Sequence, residues 1–260
     1  MNDIRKKANL KGLNRAIQRG GGLKSAIKKA MSLYHREGIR GVKRGFKMAV
    51  TAEVHRISLD DNHTDESIAQ MKALINNFTY KPLISVLMPA YNTKPEWLSE
   101  AIDSVRKQIY PYWELCIADG GSDKETTDCL SHWQKLDKRI KVVFLGENKG
   151  IAGNSIEAYA LSRGDYIVML DHDDCLSSDA LMELALCINK NNEVDFIYSD
   201  KAVFSDETKE ILAYHCLPGF SPDFLRSCNY ASHLNAFSRF IINEVGFLKQ
   251  GYDGSQDYEF

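Results

Sequence analysis

Long apolar runs are missing from this chain. No stretch of its 260 residues approaches the roughly 18 consecutive apolar residues that span a bilayer, and the N-terminus carries no signal-peptide pattern. The six cysteines (116, 129, 175, 187, 216 and 228) are scattered, without CxxC spacing. That argues against a zinc site or a disulfide framework and predicts reduced, mostly buried thiols in a cytosolic protein. No GxGxxG follows the first apolar strand and no Walker-type phosphate loop occurs, so dinucleotide oxidoreductases and P-loop enzymes lose their sequence basis. The basic stretches have neither aromatic interleaving nor a nucleic-acid motif, and nucleic acid is not an expected partner. No internal repeat is visible.

What is present is an ordinary globular composition, 44% hydrophobic and 26% charged, with its charge unevenly placed. Residues 1–56 hold 15 Lys/Arg against three acids (Asp3, Glu37, Glu53), whereas the remainder holds 18 basic and 32 acidic residues. Two halves of opposite sign suggest two roles. After a polar start ending in Gly20-Gly21-Gly22, read as flexible, the apolar positions Leu23, Ile27, Ala30, Met31 and Tyr34 recur at helical spacing among lysines and Arg36. A second basic helix is expected from Val42 to Ile57. Such helices can lie on an anionic membrane surface or pack with a solvated basic face. Residues 1–78 are therefore read as a basic, helical N-terminal extension, and 79–260 as a catalytic domain.

Beyond a polar linker and a helix over Glu66–Asn77, the pattern becomes alternating. Strands are expected at Leu83–Met88, Glu114–Ala118, Lys141–Leu145, Tyr166–Leu170 and Asp195–Tyr198. Helices at Pro95–Gln108, Glu125–Leu136, Ile151–Ser162 and Asp179–Asn189 separate them. This alternation predicts right-handed βαβ units and a mostly parallel, Rossmann-like sheet flanked by helices.

Each strand end carries small and polar residues. The first reads MPAYN, where Tyr91 either presents a flat face to a nucleobase or half-buries itself in a Pro-Asn turn. In ADGGSD, Asp119 or Ser122 can bond a base or ribose, and Ser122 or Asp123 can cap the next helix. ENKGIAGN places small residues at a helix start, which suits a phosphate or ribose. YIVMLDHDD runs an apolar strand into Asp171, Asp173 and Asp174. Clustered carboxylates repel unless a cation sits among them, and oxygen ligands suit Mg²⁺ or Mn²⁺ shared with phosphates. The plainer alternative is a solvated turn in which Asp174 or Ser177 caps the following helix.

MPAYN, ADGGSD, ENKGIAGN and LDHDD, in this order, resemble the nucleotide-diphospho-sugar transferases of the GT-A fold, above all the family-2 glycosyltransferases of bacterial surface polysaccharide biosynthesis. Phe220-Ser221-Pro222-Asp223, Asn229-Tyr230, His233 and the closing GSQDY extend the likeness over about Pro82–Phe260. The resemblance implies that Pro89, Tyr91 and Asp119 line a nucleoside pocket, with Ala90, Asn92, Gly120, Asn148, Gly150 and Asn154 completing the nucleotide-sugar set. It further implies that Asp171 approaches the ribose or metal, that Asp173 is the principal ligand of Mg²⁺ or Mn²⁺, and that Asp257 is the general base. Asn229 and His233 fall on the acceptor side; the strand-end position of His172 points it away from the metal.

The implied activity is an inverting, metal-dependent transfer of a sugar from a nucleotide diphosphate, UDP or dTDP first, to a hydroxyl of a glycan or lipid-linked glycan. The enzyme would be cytoplasmic and peripheral on the inner face of the plasma membrane, held to anionic lipid through residues 1–60. The alternative is a non-catalytic nucleotide-binding or membrane-adaptor module built on a truncated GT-A domain. A Mg²⁺-dependent phosphotransferase of the DxDx[TV] type fits poorly, because Cys175 stands where Thr or Val is needed. Three departures from the family pattern stand out. Gly120 replaces a second acid that can contact the base, an arginine is missing near Asn154, and the chain stops three residues after Asp257, short of helices that complete the acceptor side.

Overall fold

The computed structural model describes residues 63–231 and 234–251, together with isolated helical positions between 27 and 42. Residues 59–201 with 214–260 form one compact unit, and 1–58 with 202–213 form another. In the latter the described helical positions are Ile27, Lys28, Met31, Tyr34, His35, Ile39 and Val42, and Ile27, Met31, Tyr34 and Ile39 are exposed. Leu23, Ala30, the glycine run and the second basic helix beyond Val42 lie outside the described residues.

Helix α1 (Asp65–Asn76) starts at Thr64, whose hydroxyl accepts from the Ser67 amide at 3.1 Å. Strands β1 (Ile84–Ala90) and β2 (Trp113–Asp119) bury every residue, as expected of runs covered on both faces. Their alternation builds two cores. Val86, Met88, Leu115 and Ile117 face α2 (Pro95–Arg106), α3 (Lys124–Leu136) and α5 (Ala180–Lys190), meeting Leu98, Ile102, Leu130 and Leu181. Leu87, Cys116 and Ala118 face α4 (Gly150–Leu161) and α7 (Arg239–Val245), meeting Ala158 and Ile242. Burying each large side chain is worth roughly 1.5–3 kcal/mol. Pro95 occupies the first turn of α2.

The remaining strands are β3 (Ile140–Phe144), β4 (Tyr166–Met169), β5 (Phe196–Tyr198), β6 (Lys201–Phe204), β7 (Ile211–His215) and β8 (Asn235–Ser238), with the short helix α6 (Pro222–Ser227) between the last two. The main sheet runs β3-β2-β1-β4-β8-β5, and β6 pairs with β7. β1 to β4 are mutually parallel, so their carboxyl ends share one edge. β8 lies antiparallel between β4 and β5.

Three expectations need correction. The strand near 195–198 exists, but β8 separates it from β4; neither β8 nor the β6–β7 hairpin was anticipated. The alternative caps Asp174 and Ser177 do not hold, because helix α5 begins after Asp179, one residue from its expected start. The six cysteines are unpaired, yet only Cys116 is fully buried, and Cys216 and Cys228 are exposed.

At the amino edge of the sheet Glu114 gathers a closed set of polar groups. The Glu114 carboxylate accepts from Ser85 Oγ at 2.7 Å, Lys141 Nζ at 2.6 Å and the Arg163 amide. Burial alone would raise its pKa, but the bonds from Lys141, Ser85 and Arg163 outweigh burial and hold it below the usual glutamate range. Ser85 also accepts from the Gly164 amide at 2.8 Å. A Cβ on Gly164 would stand 2.5 Å from Ser85 Oγ and 2.6 Å from the Leu83 carbonyl, so the approach requires glycine.

Candidate active site

Four loops follow the carboxyl ends of β1, β2, β3 and β4, which is where open α/β sheets bind ligands. In the first, Pro89 and Ala90 are buried at the end of β1 and Tyr91 is exposed. Asn92 takes a left-handed φ of 47°, a conformation Asn tolerates better than most residues. This turns its amide N–H onto Ser122 Oγ at 2.8 Å and its side-chain oxygen onto the Asp123 amide at 2.9 Å. The first and second loops are thus tied to one another.

In the second loop Asp119 is only 1% exposed. Its carboxylate receives the Ser122 hydroxyl and, at 3.3 Å, the Ser122 amide. Asp123 caps α3, accepting from the Thr126 amide at 2.9 Å. That backbone bond holds the Asp123 carboxyl below its ordinary range. Of the expected roles, capping of the helix falls to Asp123, while the buried Asp119 carboxylate is held by Ser122.

The third loop packs onto the second. Asn148 Oδ1 accepts from the Gly150 amide and from Asn154 Nδ2, each at 3.0 Å, and Asn154 Oδ1 accepts from the Lys149 amide at 3.2 Å. Gly150 holds a φ of 74°, which glycine permits without strain. A Cβ on Gly120 would lie 2.6 Å from Asn154 Nδ2 and 3.0 Å from Asn148 Oδ1. The space a side chain at 120 would occupy is filled by this amide pair.

The fourth loop carries the acids. The β4 ladder extends one residue, with the Leu170 amide donating to the Leu87 carbonyl at 3.0 Å, and the Asp174 amide closes a turn on the Asp171 carbonyl at 3.2 Å. The side chain of Asp173 is 54% exposed, with His172 Nδ1 at 3.9 Å. That nitrogen is buried and has no hydrogen-bond partner. Among the described residues no three His, Cys, Asp or Glu side chains gather into a metal-binding group. Asp171 and Asp173 instead fit the mode in which Mg²⁺ or Mn²⁺ takes one or two carboxylates and fills its shell with phosphate oxygens and water.

On the far side of β4 lies a group of which the sequence marked only Asn229 and Tyr230. Asn235 opens β8, paired with Met169 of β4 and Tyr198 of β5. Beyond it Tyr198 donates to the Pro218 carbonyl at 2.7 Å, and Tyr230 stacks on Phe224 with 4.8 Å between ring centres. Asn229 is exposed next to this aromatic group. His233 and Asp257 lie outside the described residues. The chain is nonetheless followed back toward the site: Phe247 stacks on Tyr159 at 4.6 Å, and Gln250 Nε2 is 3.2 Å from where a Cβ on Gly153, in the first turn of α4, would stand.

The fold defines a class before any family does. The S. aureus protein TarS shares it with a TM-score of 0.54 at 18% identity, over 68% of this chain and 53% of that one, and has also been solved with UDP and with UDP-GlcNAc. The mannosyltransferase PcManGT from Pyrobaculum calidifontis, solved with GDP-Man and Mn²⁺, shares it with a TM-score of 0.51 at 19% identity, over 74% and 56% of the two chains. This is the GT-A arrangement that the motifs resemble. Residues 85–246 match glycosyl transferase family 2, and the chain belongs to that family. The O-antigen biosynthesis protein RfbC of Myxococcus xanthus is 30% identical over 180 residues, which are 69% of this chain and 14% of that protein. The chain spans 40% or less of the length of RfbC and of two further curated relatives.

Proposed function

We propose that residues 79–260 form the catalytic domain of an inverting, metal-dependent glycosyltransferase that moves a sugar from a nucleoside diphosphate to a hydroxyl of a growing cell-surface glycan. The observation that carries this reading is the placement of four strand-end loops along one sheet edge, with the exposed Asp173 carboxylate after β4 and Asp119, Asn148 and Asn154 packed after β2 and β3. Family membership supports the reaction class. The UDP, UDP-GlcNAc and GDP-Man complexes of fold relatives support a nucleotide-sugar donor, and the Mn²⁺ in PcManGT supports a divalent cation. The O-antigen relative supports a surface glycan as acceptor.

In this reading Tyr91 and Asp119 hold the nucleoside, with Pro89, Ala90, Asn92 and Gly120 shaping the pocket and Gly150 near the phosphates. Asp173 and Asp171 hold the cation, which when bound neutralises charge on the diphosphate as the sugar bond breaks. Asp257 acts as general base. It removes the proton of the acceptor hydroxyl while that oxygen attacks the anomeric carbon from the face opposite the diphosphate. The bond to the diphosphate breaks with its electron pair, and a single displacement inverts the anomeric centre, in parallel with base-assisted attack in inverting glycosidases. Asn229 and His233 belong to the acceptor side.

Thermal unfolding with UDP, dTDP, GDP and CDP, each with and without Mn²⁺ or Mg²⁺, tests the donor site. One nucleotide is expected to raise the midpoint in a cation-dependent way, by about 2.7 kcal/mol of stability at a hundredfold excess over its Kd. Asp173→Ala should abolish that shift; Asp257→Asn should keep the shift and lose sugar transfer. No shift with any pair overturns the reading.

The basic extension adds a location. No helix among the described residues is long and apolar enough to cross a membrane, but Ile27, Met31 and Tyr34 stand exposed at helical spacing in a lysine-rich segment. This suits a peripheral position on the anionic inner face of the plasma membrane, close to a lipid-linked acceptor. Co-sedimentation with anionic liposomes should fall on removal of residues 1–60; equal binding without them refutes the membrane role.

A further inference from the structure

We propose that Asn235 is the sugar-reading residue of this site, its amide oxygen accepting a hydrogen bond from a hydroxyl of the sugar being transferred. The inference rests on the donor-site reading above and adds a residue that no sequence motif marks. It begins with the defect itself. Asn235 is 7% exposed and its Oδ1 is buried without a hydrogen-bond partner. A buried amide oxygen with no donor is costly, and such groups are rare enough in folded proteins that each calls for a physical reason.

The surroundings make the defect sharper. Asn235 is in register with Met169 and Tyr198. The next residue, Ala236, belongs to the first core and Phe237 to the second. By strand alternation Asn235 therefore shares the face of Phe237 and Met169. A leucine there would join that apolar face at no polar cost. Nearby polar groups are engaged by the protein: the Tyr198 hydroxyl donates to the Pro218 carbonyl, Ser199 Oγ accepts from the Leu234 amide and donates to the Asp200 carbonyl, and Asp200 Oδ1 accepts from the Leu217 amide.

Topology supplies the ligand. In the order β3-β2-β1-β4-β8-β5 the nucleoside-side loops lie on β1, β2 and β3, the acids follow β4, and Asn235 stands one strand beyond. β8 runs antiparallel to β4 and begins opposite Met169. Asn235 is thus at the same sheet edge as Asp171, two residues or roughly 7 Å of strand short of it. A nucleotide sugar is linear: nucleoside, diphosphate, sugar. With the nucleoside over β1–β3 and the diphosphate at Asp171 and Asp173, the sugar continues over β8, where a ring hydroxyl meets the unpaired amide.

Isothermal titration with UDP, GDP, UDP-GlcNAc and GDP-mannose in Mn²⁺, on the intact chain and on Asn235→Leu, decides the matter. The parent should bind one nucleotide and gain affinity when the sugar is attached. Asn235→Leu should bind the bare nucleotide as the parent does and lose the sugar's increment, about tenfold, while its ligand-free melting midpoint stays level or rises. Asn235→Ala, which leaves a smaller and more forgiving core, serves if the leucine variant does not fold and should lose the same increment. A full sugar increment in either variant, or an equal loss for bare nucleotide, overturns the assignment of Asn235 alone. A parent that binds none of the four, and neither dTDP nor CDP, overturns the donor site and this inference with it.

Discussion

The two edges of the central sheet are built on opposite terms. At the amino edge, Glu114 collects three donors from Ser85, Lys141 and Arg163, and Arg239 donates to the Gly164 carbonyl at 2.6 Å and to Ser162 Oγ at 2.8 Å. At the carboxyl edge, His172 Nδ1 and Asn235 Oδ1 are buried without partners and Asp173 is half exposed. A closed polar network stiffens structure, whereas an open one is a defect unless something completes it. The Glu114 network therefore anchors the fold at the amino end, although Trp113 Nε1 there is buried without a hydrogen-bond partner, while His172 and Asn235 leave unfinished polar geometry at the other. The carboxyl edge is itself graded, since Asn92, Ser122 and Asp123 lock the loops after β1 and β2 while Asp173 after β4 is half exposed.

The sharpest way to break this contrast is at Glu114. Glu114→Ala strips Lys141 of its carboxylate, leaving it only the Leu161 carbonyl at 3.2 Å, and leaves the Ser85 hydroxyl and Arg163 amide short of an acceptor. Loss of one partner from a buried pair typically costs about 3–5 kcal/mol, and Lys141, partly open to solvent, places this case near the lower figure. Urea unfolding should show the loss, while nucleotide affinity measured well below the melting midpoint stays unchanged. A fall in affinity as large as the fall in stability would show that the edges are not separable. The sign with pH follows from the depressed Glu114 pKa. Its contribution is complete above the ordinary glutamate pKa and is lost as pH falls through the lower folded value, so parent and variant should converge in acid.

Much of this was legible in the sequence because apolar runs announce buried parallel strands. β1 to β4 and helices α2 to α5 fall within one or two residues of their expected positions, and the loop motifs mark the edge at which they meet. Strand β8 was hidden because Asn235-Ala-Phe-Ser is four residues long, with polar ends and no β-branched residue to signal a strand. Asn235 was hidden with it, since an unpaired amide exists only once β4 and β5 flank it. Gly120 shows a third limit. Against the family pattern it reads as a missing acid, but the structure shows that its bare backbone makes room for Asn148 and Asn154. Compensation between residues some 30 positions apart leaves no local trace.

A smaller change sharpens the comparison from the carboxyl side. Gly120 does not hold a left-handed φ, so alanine suits its backbone, and any effect comes from contact. The added methyl would stand 2.6 Å from Asn154 Nδ2, and the 2%-exposed Asn154 side chain can yield only by breaking its bond to Asn148. Overpacking of this kind costs typically about 1–3 kcal/mol; a hydrogen-bonded loop at the sheet edge has more room to move than a core and belongs at the low end. Gly120→Ala should therefore lower the melting midpoint less than Glu114→Ala yet weaken nucleotide binding, the reverse of the amino-edge result. The cause is checked in an Asn154→Ala background, where the methyl meets no amide and the second substitution should add almost nothing, a coupling that a double-mutant cycle reads directly. Additive losses would mean that the amide pair and Gly120 act apart, and that the second and third loops are not one wall.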